Sequence, residues 1–409
     1  MSENNISPVS SQDRIEVLDV LRGLAVCGIL IGNLQWFSGY GFMPPDLARQ
    51  QFTSADQVVQ FIVHFLIEGK FYSIFSFLFG FGFALQIARA GERGDARASL
   101  FKRRLFWLLV IGLLHAFLLW AGDILSVYAL MGFVLLLFRN KSEASLLKWA
   151  FALIVVPIVV YALLFITFVS LAPPDAAASI NSAQNDMWSN MILTVPTGNY
   201  WHILKDYNLT TLAGRWAGLI VQMRLPKILA MFLLGVYAFR RGIFQNPERH
   251  RPLIRKVMIY GLLLGVVGNL VFASLAHSEA DLPPTVFGLI GVVAYAFGVP
   301  AMALGIAASV TTLWQWTSWQ SPLTWFAPVG RQALTNYLMH TVICVTIFYG
   351  YGFGQFGKIG PATATLIGIG IFLIQIPASA LWLRYFAYGP MEWIWRQLTY
   401  RKRLNLRLR

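Results

Sequence analysis

Residues 18–33 read LDVLRGLAVCGILIGN and place an acid (Asp19), a base (Arg22) and an amide (Asn33) inside an otherwise apolar run of membrane-spanning length. Ionised groups at bilayer depth cost about 2.5–3.5 kcal/mol each, so they usually face a bundle interior or a water-filled cavity. On a helix these three side chains fall within about 60° of one another, and Arg22 and Asn33 lie about 16 Å apart along the axis. The pattern predicts a polar stripe that belongs to a site rather than to a membrane anchor.

The composition is typical of a polytopic membrane protein, with 57% hydrophobic residues among 409 and a mean hydropathy of +0.61. The net charge of +14 lies in short basic clusters between apolar runs, which the positive-inside rule explains without nucleic acid as a partner. Cys27 and Cys344 both lie in apolar segments, so no disulfide framework or CxxC metal site is predicted. His64, His202, His250 and His277 share no ligand spacing with acids or cysteines, and we predict no metal site.

The apolar stretches predict an all-α, polytopic membrane helix bundle of about ten transmembrane helices. About 20 residues of helix cross a hydrocarbon core of about 30 Å, and each stretch has roughly that length or more. The predicted spans cover approximately residues 17–35, 57–88, 102–120, 124–139, 147–171, 211–240, 254–275, 284–312, 331–352 and 362–388.

The basic residues lie in alternate loops and in the tail, which predicts that these loops and both termini are cytoplasmic. The opposite loops are poor in Lys and Arg, and residues 277–281 (HSEAD) are acidic. The tail from Pro390 to Arg409 carries Trp393, Trp395 and Tyr400 among basic residues, which predicts an interfacial helix. The basic positions are Arg89, Arg93, Arg97, Lys102, Arg103, Arg104, Arg139, Lys141, Lys148, Arg240, Arg241, Arg249, Arg251, Arg255, Lys256, Arg396, Arg401, Lys402, Arg403, Arg407 and Arg409.

Two predicted spans are too long for one straight helix. Residues 57–88 would extend about 48 Å, so we expect a break near Glu68-Gly69-Lys70. Residues 211–240 contain Arg224-Leu225-Pro226-Lys227, and proline removes a backbone donor and disfavours helix at the preceding residue. Broken helices at membrane depth are tolerated where they line a cavity, so both breaks point to an interior site.

Three residues have the chemistry of an acyl-transfer or proton-transfer site. His115 lies in the third predicted span, and neutral imidazole is the usual general base near neutral pH. Asp123 lies in the short outer turn, where it could orient this histidine or simply cap a helix. The amide of Asn33 could stabilise an oxyanion or make an interhelical hydrogen bond. We predict catalytic roles for all three, with the structural roles as alternatives.

Other polar residues have two interpretations each. Asp19 and Arg22 are i,i+3 neighbours and can pair. Glu68 and Lys70 flank the first expected break and can also pair. Lys70, like Arg224 at the second break, could instead reach an anionic ligand or snorkel to the membrane surface.

The ninth span opens on residues 330–340, GRQALTNYLMH. Arg331 begins on the predicted cytoplasmic side, where it could bind a phosphate bidentately or contact a lipid headgroup. Asn336 and His340 share one helical face, four residues apart. This segment therefore contributes candidates both for a phosphate site and for the bundle interior.

Several of these motifs, in this order along nearly the whole chain, resemble YeiB-type membrane proteins of the domain-of-unknown-function 418 family. They are residues 14–23 (RIEVLDVLRG), 122–128 (GDILSVY), 330–337 (GRQALTNY) and 389–396 (GPMEWIWR). The resemblance implies a multi-pass protein of the bacterial inner (plasma) membrane. It also implies a single membrane domain, residues 1–409, with an acyltransferase-like helical core at about 14–171 and a YeiB-type region at about 211–400.

The first helix is also similar to that of heparan-alpha-glucosaminide N-acetyltransferase and the wider transmembrane acyltransferase superfamily, over the N-terminal helices alone. This resemblance implies transfer of an acyl group from cytoplasmic coenzyme A to an acceptor across the bilayer. In the heparan enzyme the asparagine matching Asn33 is followed by a catalytic histidine in the adjacent outer loop, whereas residues 34–55 here contain none. Either His115 replaces that histidine in space, or the chemistry differs, or there is none.

The first functional hypothesis is therefore a membrane acyltransferase that uses acyl-coenzyme A as donor. His115, oriented by Asp123, would take a proton from an acceptor hydroxyl or amine, and Asn33 or Asn336 would stabilise the oxyanion. The residues predicted to bind the coenzyme are Arg22, Lys70, Arg331 and Asn336. Structural or site-lining roles are predicted for Asp19, Glu68, Arg224 and Tyr337.

The second hypothesis is a small-molecule or proton-coupled transporter or exporter, since broken helices and intramembrane charges also suit solute passage. A third is a noncatalytic lipid-binding scaffold. The expected partners are membrane lipid and a periplasmic glycan or lipid-linked acceptor, without nucleic acid. The sequence leaves open whether the protein forms a homodimer.

Overall fold

The computed structural model describes residues 14–88, 94–275 and 283–408, and within them the fold is all-α. Arg89, Arg93 and the acidic loop 277–281 lie outside the described residues. In that part of the chain the only strand-like pairing is an isolated bridge between Phe386 and Arg407. The helices are α1 Glu16–Phe37, α2 Pro45–Gln51, α3 Ser54–Ile62, α4 Lys70–Ala88, α5 Gly94–Leu118, α6 Leu125–Leu135, α7 Glu143–Leu171, α8 Ala176–Thr194, α9 Tyr200–Ile203, α10 Thr210–Val221, α11 Arg224–Arg240, α12 Arg251–Leu275, α13 Val286–Trp314, α14 Thr317–Thr324, α15 Ala327–Arg331, α16 Ala333–Phe348, α17 Pro361–Tyr385 and α18 Pro390–Tyr400.

The length and apolarity of these helices confirm a multi-pass membrane protein. Of the described residues, six segments are long and apolar enough to cross a membrane, and the bent pair α10–α11 makes a seventh. Two more apolar helices, Leu125–Phe138 and Ala333–Phe348, are shorter. The predicted third span falls in α5, where Lys102, Arg103 and Arg104 interrupt the apolar run. The total of about ten spans and the cytoplasmic location of both termini stay predictions. The six long segments are Glu16–Phe37, Ser54–Ala88, Glu143–Leu171, Arg251–Leu275, Val286–Trp314 and Pro361–Tyr385.

The break predicted near Glu68 is confirmed. After α3 the backbone forms a π-helical turn over Val63–Ile67, Glu68 leaves the helical conformation, and Gly69 takes a φ of +83° before α4 begins. A side chain at position 69 would be strained in that left-handed conformation and would meet the Tyr295 hydroxyl at 2.5 Å. The chain therefore uses a glycine to turn between two helical segments at this depth.

The second break lies slightly upstream of the predicted position. Helix α10 ends at Val221, Met223 adopts a left-handed φ of +48°, and α11 starts at Arg224 with an axis bent by 62°. Pro226 lies in the first turn of α11, where proline is tolerated because the early N–H groups have no partner inside the helix. The expectation of a break within residues 224–227 is thus corrected to residues 222–223.

Helix α1 is the centre of the bundle and packs against α4, α15, α16 and α17. Its contact with α15 is backbone to backbone, because a Cβ atom on Gly330 would lie 1.9 Å from the carbonyl oxygen of Asp19. A Cβ atom on Gly23 would lie 2.1 Å from the carbonyl oxygen of Phe326. The glycine of the GRQALTNY motif therefore fixes the position of α15 on the first half of α1.

The C-terminal helix α18 docks onto the bundle. The Glu392 carboxylate accepts hydrogen bonds from the backbone N–H groups of Leu334 (2.7 Å) and Thr335 (3.1 Å), at the start of α16. The Trp395 indole donates to the carbonyl of Arg104 at 2.9 Å, and the Arg104 guanidinium lies 4.1 Å from the Trp395 ring centroid. Its predicted contact with the membrane surface stays a prediction.

Candidate functional site

A cavity of about 60 Å³ lies beside the second half of α1. Its wall combines α1 residues between Gly28 and Trp36, the break at residues 67–72, and the turn before α6 at Gly122 and Ile124. Arg215 of α10 and Arg224 of α11 complete the wall. The first helix break therefore lies in the cavity wall, and Arg224, the residue that follows the second break, also lines the cavity.

The wall of the cavity is polar and carries more positive than negative charge. It holds the guanidinium groups of Arg215 and Arg224 and the carboxylate of Glu68. Arg224 lies 6.0 Å from the ring centroid of Tyr72, which also lines the cavity. The Asn33 side chain is half-buried and makes no hydrogen bond to any residue that the structure describes. The structure thus brings Asn33, Glu68 and Arg224 to one cavity, and the catalytic role of Asn33 and the site-lining roles of the other two stay predictions.

Behind Glu68 lies a second layer of titratable groups. The His64 Nδ1 atom hydrogen-bonds the Glu68 carboxylate, and the Lys70 ammonium donates to the His64 carbonyl at 2.6 Å. Lys70 is fully buried at 0% exposure, with its ammonium 5.9 Å from the Phe272 ring centroid. The predicted role of Lys70 in binding coenzyme phosphates therefore has no support from its position, which is inside the protein.

His115, Asp123 and Thr341 form a hydrogen-bonded chain in the interior. The His115 Nδ1 atom lies 2.9 Å from one Asp123 oxygen, and its Nε2 atom lies 2.8 Å from the Thr341 hydroxyl. The other Asp123 oxygen accepts from the N–H (2.7 Å) and hydroxyl (2.6 Å) of Ser126 at the start of α6. Nδ1 of His115 is thus hydrogen-bonded to the carboxyl group of Asp123, and Nε2 shares a hydrogen bond with the Thr341 hydroxyl. The arrangement is that of a base held by an orienting acid, with a hydroxyl at its reactive nitrogen.

The hydrogen-bonded series of Asp123, His115 and Thr341 lies next to the cavity but is not exposed to it. Asp123 is flanked by Gly122 and Ile124, which both line the cavity, and the N–H of Ile124 donates to the Tyr337 hydroxyl at 3.3 Å. The Tyr337 ring centroid lies 5.4 Å from that of His115. His115 is only 2% exposed. Ile124 and Tyr337 therefore separate the imidazole from the cavity in this conformation.

Arg22 lies toward the opposite end of α1, so it shares no wall of this cavity with His115. Arg22 and Arg14 both pair with the buried carboxylate of Asp19, the latter at 3.4 Å, and the predicted Asp19–Arg22 pair forms. Arg331 lies nearby, where its partial burial and then the positive charge of Arg14 lower the pKa of its guanidinium. The polar stripe predicted along α1 is thus divided between two separate regions, a basic patch formed by Arg14, Arg22 and Arg331, and the cavity.

Asn336 lies in neither region. Its side chain donates to the carbonyl of Val329 (3.3 Å) and the hydroxyl of Ser379 (3.1 Å), between α16 and α17. One turn later, the His340 Nε2 atom lies 2.7 Å from the Gln375 side-chain oxygen. These contacts hold two helices together, and the predicted coenzyme-binding role of Asn336 has no support from its location.

Sequence reasoning did not select Thr341 or Arg215. Thr341 lies one helical turn after Tyr337 on α16, and a hydroxyl on the face of a motif residue is a weak signal. Arg215 is a charged residue inside a predicted span, which is a stronger signal by the same reasoning that selected Arg22. Across the described ranges, no three His, Cys, Asp or Glu side chains lie close enough to hold a metal ion.

The fold and the buried charges define a multi-pass membrane protein with an internal polar cavity, and comparisons with known sequences place it. A model described as "Protein of unknown function (DUF418)" matches residues 238–402. The chain is 35% identical over 418 aligned residues to "Uncharacterized protein YxaH" of Bacillus subtilis (strain 168), covering 97% of both chains. It is 28% identical to "Uncharacterized protein YeiB" of Escherichia coli (strain K12), covering 95% of this chain and 97% of YeiB.

A further relative is the "Uncharacterized 39.9 kDa protein in amylase 3'region" of Bacillus acidopullulyticus, 29% identical over 99% of both chains. These full-length similarities confirm the resemblance seen in the sequence motifs. The chain belongs to the DUF418 family.

Proposed function

We propose that this protein is an integral membrane acyltransferase of the bacterial inner membrane. It would move an acyl group from cytoplasmic acyl-coenzyme A to a periplasmic or lipid-linked acceptor. The observation that carries the proposal is the buried chain from Asp123 through His115 to Thr341, one wall away from a polar cavity. A general base held by a carboxylate and already hydrogen-bonded to a hydroxyl has the geometry that acyl transfer to an alcohol needs.

In the proposed step the acceptor hydroxyl or amine gives its proton to His115 Nε2 while its oxygen or nitrogen bonds to the acyl carbon. The thioester C–S bond breaks, and the proton passes from the imidazolium to the coenzyme thiolate. Asp123 stabilises the imidazolium through its 2.9 Å hydrogen bond. The side-chain amide of Asn33, which no described residue engages, supplies a donor for the oxyanion. The Ile124 side chain must move for the acceptor to reach Nε2.

The basic patch at the start of α1 supports the donor side of the proposal. Arg14, Arg22 and Arg331 present positive charge where coenzyme phosphates would arrive from the predicted cytoplasmic face. The resemblance of α1 to the transmembrane acyltransferase superfamily points the same way. Lys70 and Asn336 are not part of this proposal because both are buried elsewhere.

The test is release of coenzyme A thiol from acetyl-coenzyme A by purified protein, reconstituted in vesicles of total bacterial membrane lipid that contain the native acceptors. We expect His115→Ala to lower this rate by about 10²–10⁴-fold, the range typical of a lost general base. His202→Ala is the matched control, because His202 is exposed and lies 3.6 Å from Asp206 on the surface. Both variants should elute as the wild type does in size-exclusion chromatography. Full thiol release by His115→Ala, or none by the wild type, overturns the proposal.

A second function, solute transport, is favoured by one observation. The break at Glu68–Gly69 lines the cavity, and the break at residues 222–223 is followed directly by Arg224, which also lines it. The discontinuous helices of transporters lie around their binding sites in a similar way. Counterflow of a solute into vesicles without release of coenzyme thiol would favour this alternative.

A further inference from the structure

We propose that the cavity is a binding site for a phosphate ester, and that the group bound there is the phosphate of a lipid-linked acceptor. The identification as an acceptor rests on the proposed acyl transfer, whereas the binding of a phosphate does not. Two arginines, Arg215 and Arg224, line the cavity.

On a continuous helix these two side chains could not meet. They are nine residues apart, and at about 100° per residue they would point to opposite faces of one helix. Met223 has a left-handed backbone, and the axes of α10 and α11 differ by 62°. The two arginine side chains therefore need not point in opposite directions, and both line one cavity. A left-handed backbone at a non-glycine residue is a strained feature of the kind that clusters at ligand sites. We infer that the break exists to bring two guanidinium groups together.

The charges on the wall favour an anion. The charged residues that line the cavity are two arginines, Arg215 and Arg224, and one acid, Glu68, whose carboxylate is hydrogen-bonded by His64. The amide of Asn33 adds a donor that no described residue uses. Guanidinium groups present paired donors that match phosphate oxygens, so phosphate is the anion that this wall fits best.

The position of the cavity favours a headgroup. Its volume of about 60 Å³ holds a group of phosphate size, and the rest of the bound molecule would extend beyond it. It lies beside residues 28–36, the half of α1 remote from the basic patch. A lipid-linked phosphate would reach this level of the bilayer with its chain in the membrane, on the side opposite to the predicted arrival of the coenzyme.

The test measures binding of three probes to the full-length protein in detergent by native mass spectrometry. The probes are a short-chain polyprenyl monophosphate, the uncharged polyprenyl alcohol of the same length, and inorganic phosphate. We expect the polyprenyl phosphate to bind at least about tenfold more tightly than the alcohol, because the alcohol lacks the charge that the arginines recognise. Tighter binding of the polyprenyl phosphate than of inorganic phosphate supports the lipid source, and equal binding supports a soluble phosphate ester at the same site.

Variants separate a specific site from general charge. Arg215→Gln and Arg224→Gln should each weaken polyprenyl phosphate binding about tenfold or more, while Arg255→Gln, an exposed position on α12, should leave it unchanged. Arg224→Lys keeps the charge and should weaken binding less than Arg224→Gln. Equal binding of alcohol and phosphate, or unchanged binding in both glutamine variants, overturns the inference.

The same samples distinguish this inference from the proposed function. His115→Ala should bind polyprenyl phosphate as the wild type does, because the imidazole lies behind the cavity wall. Phosphate binding without any thiol release would refute acyl transfer and leave the binding site standing. Thiol release that survives in Arg215→Gln and Arg224→Gln would refute the assignment of the acceptor.

Discussion

Enlarging Gly80 should disturb the frame of the site, and the chain offers a matched control for this change. It lies on α4, and a Cβ atom built there would lie 2.0 Å from the carbonyl oxygen of Phe232 on α11. The contact is reciprocal, since a Cβ atom on Gly235 would lie 2.0 Å from the carbonyl oxygen of Phe77. The two helices therefore touch backbone to backbone, as helices do in membranes where small residues permit it.

The cost of Gly80→Ala follows from this distance. Ordinary van der Waals contact begins at 3.4 Å, so the new methyl group is 1.4 Å too close. The obstructing atom belongs to a helical backbone, which cannot rotate away as a side chain can, so α11 must move as a unit. Overpacking of this kind costs about 1–3 kcal/mol, and a gap of about 0.5–1 Å at neighbouring contacts forfeits a quarter to a half of their attraction. We expect this contact to lower the free energy of unfolding of Gly80→Ala by about 3 kcal/mol, near the upper end of the range.

Gly82→Ala is the matched control. It lies two residues away on the same helix, and a Cβ atom there meets nothing within 4 Å. Both substitutions gain the same helix propensity, about 1 kcal/mol, so the difference between the two variants reports the helix contact alone. Reversible unfolding of both proteins in one detergent, followed by tryptophan fluorescence, measures it. Equal unfolding free energies for Gly80→Ala and Gly82→Ala would refute the packing argument.

Two further substitutions test single groups. Thr341→Val should retain thiol release within about tenfold, because in our proposal the Thr341 hydroxyl only occupies the place of the acceptor at His115. Loss of activity in Thr341→Val with recovery in Thr341→Ser would instead identify Thr341 as the nucleophile. Burial raises the pKa of Glu392 above its ordinary 4.5, against the hydrogen bonds from Leu334 and Thr335 that lower it. The folded state therefore holds this proton more tightly, and the stabilisation is complete below pH 4.5 and is lost as the pH rises through the folded pKa. Unfolding between pH 4 and 7 should show this slope in the wild type and less of it in Glu392→Gln, and identical slopes would contradict the assignment.

The helix breaks show what length and residue type can predict. An apolar run of 57–88 is too long for the bilayer, and the only glycine beside charged residues near its middle, Gly69, is where the backbone turns. The position of the second break was less predictable. Pro226 was the obvious breaker, but the first turn of a helix accepts proline, and the strain falls on Met223 instead. Local rules predicted that each span breaks, and tertiary packing decided where.

The polar residues show the same difference between contacts that are close in the sequence, which could be predicted, and contacts that are distant, which could not. His115 and Asp123 meet because a short turn joins their helices, and eight residues of sequence separation made that contact predictable. Thr341 reaches the same imidazole from 226 residues away, which no single-sequence pattern indicates. The polar stripe of α1 was expected to form one continuous site. Instead α15 packs against its first half, around Asp19 and Arg22, and only its second half, at Asn33, lines the cavity. Helical periodicity predicted the direction in which the polar side chains of α1 point. It did not predict which residues of other helices they contact.

The turn between α5 and α6 lies between the cavity and the hydrogen-bonded chain of Asp123, His115 and Thr341. Its backbone is fixed at two points, because Asp123 bonds both His115 and the first turn of α6, and the N–H of Ile124 donates to Tyr337. A backbone movement that opened the cavity toward His115 would break the contact that orients the imidazole. Ile124 packs with Tyr337 in one hydrophobic cluster, and its side chain can change rotamer without disturbing those bonds. In the proposed acyl transfer, a rotamer change of Ile124 beside Tyr337 would open the way from the cavity to the imidazole while these hydrogen bonds are kept.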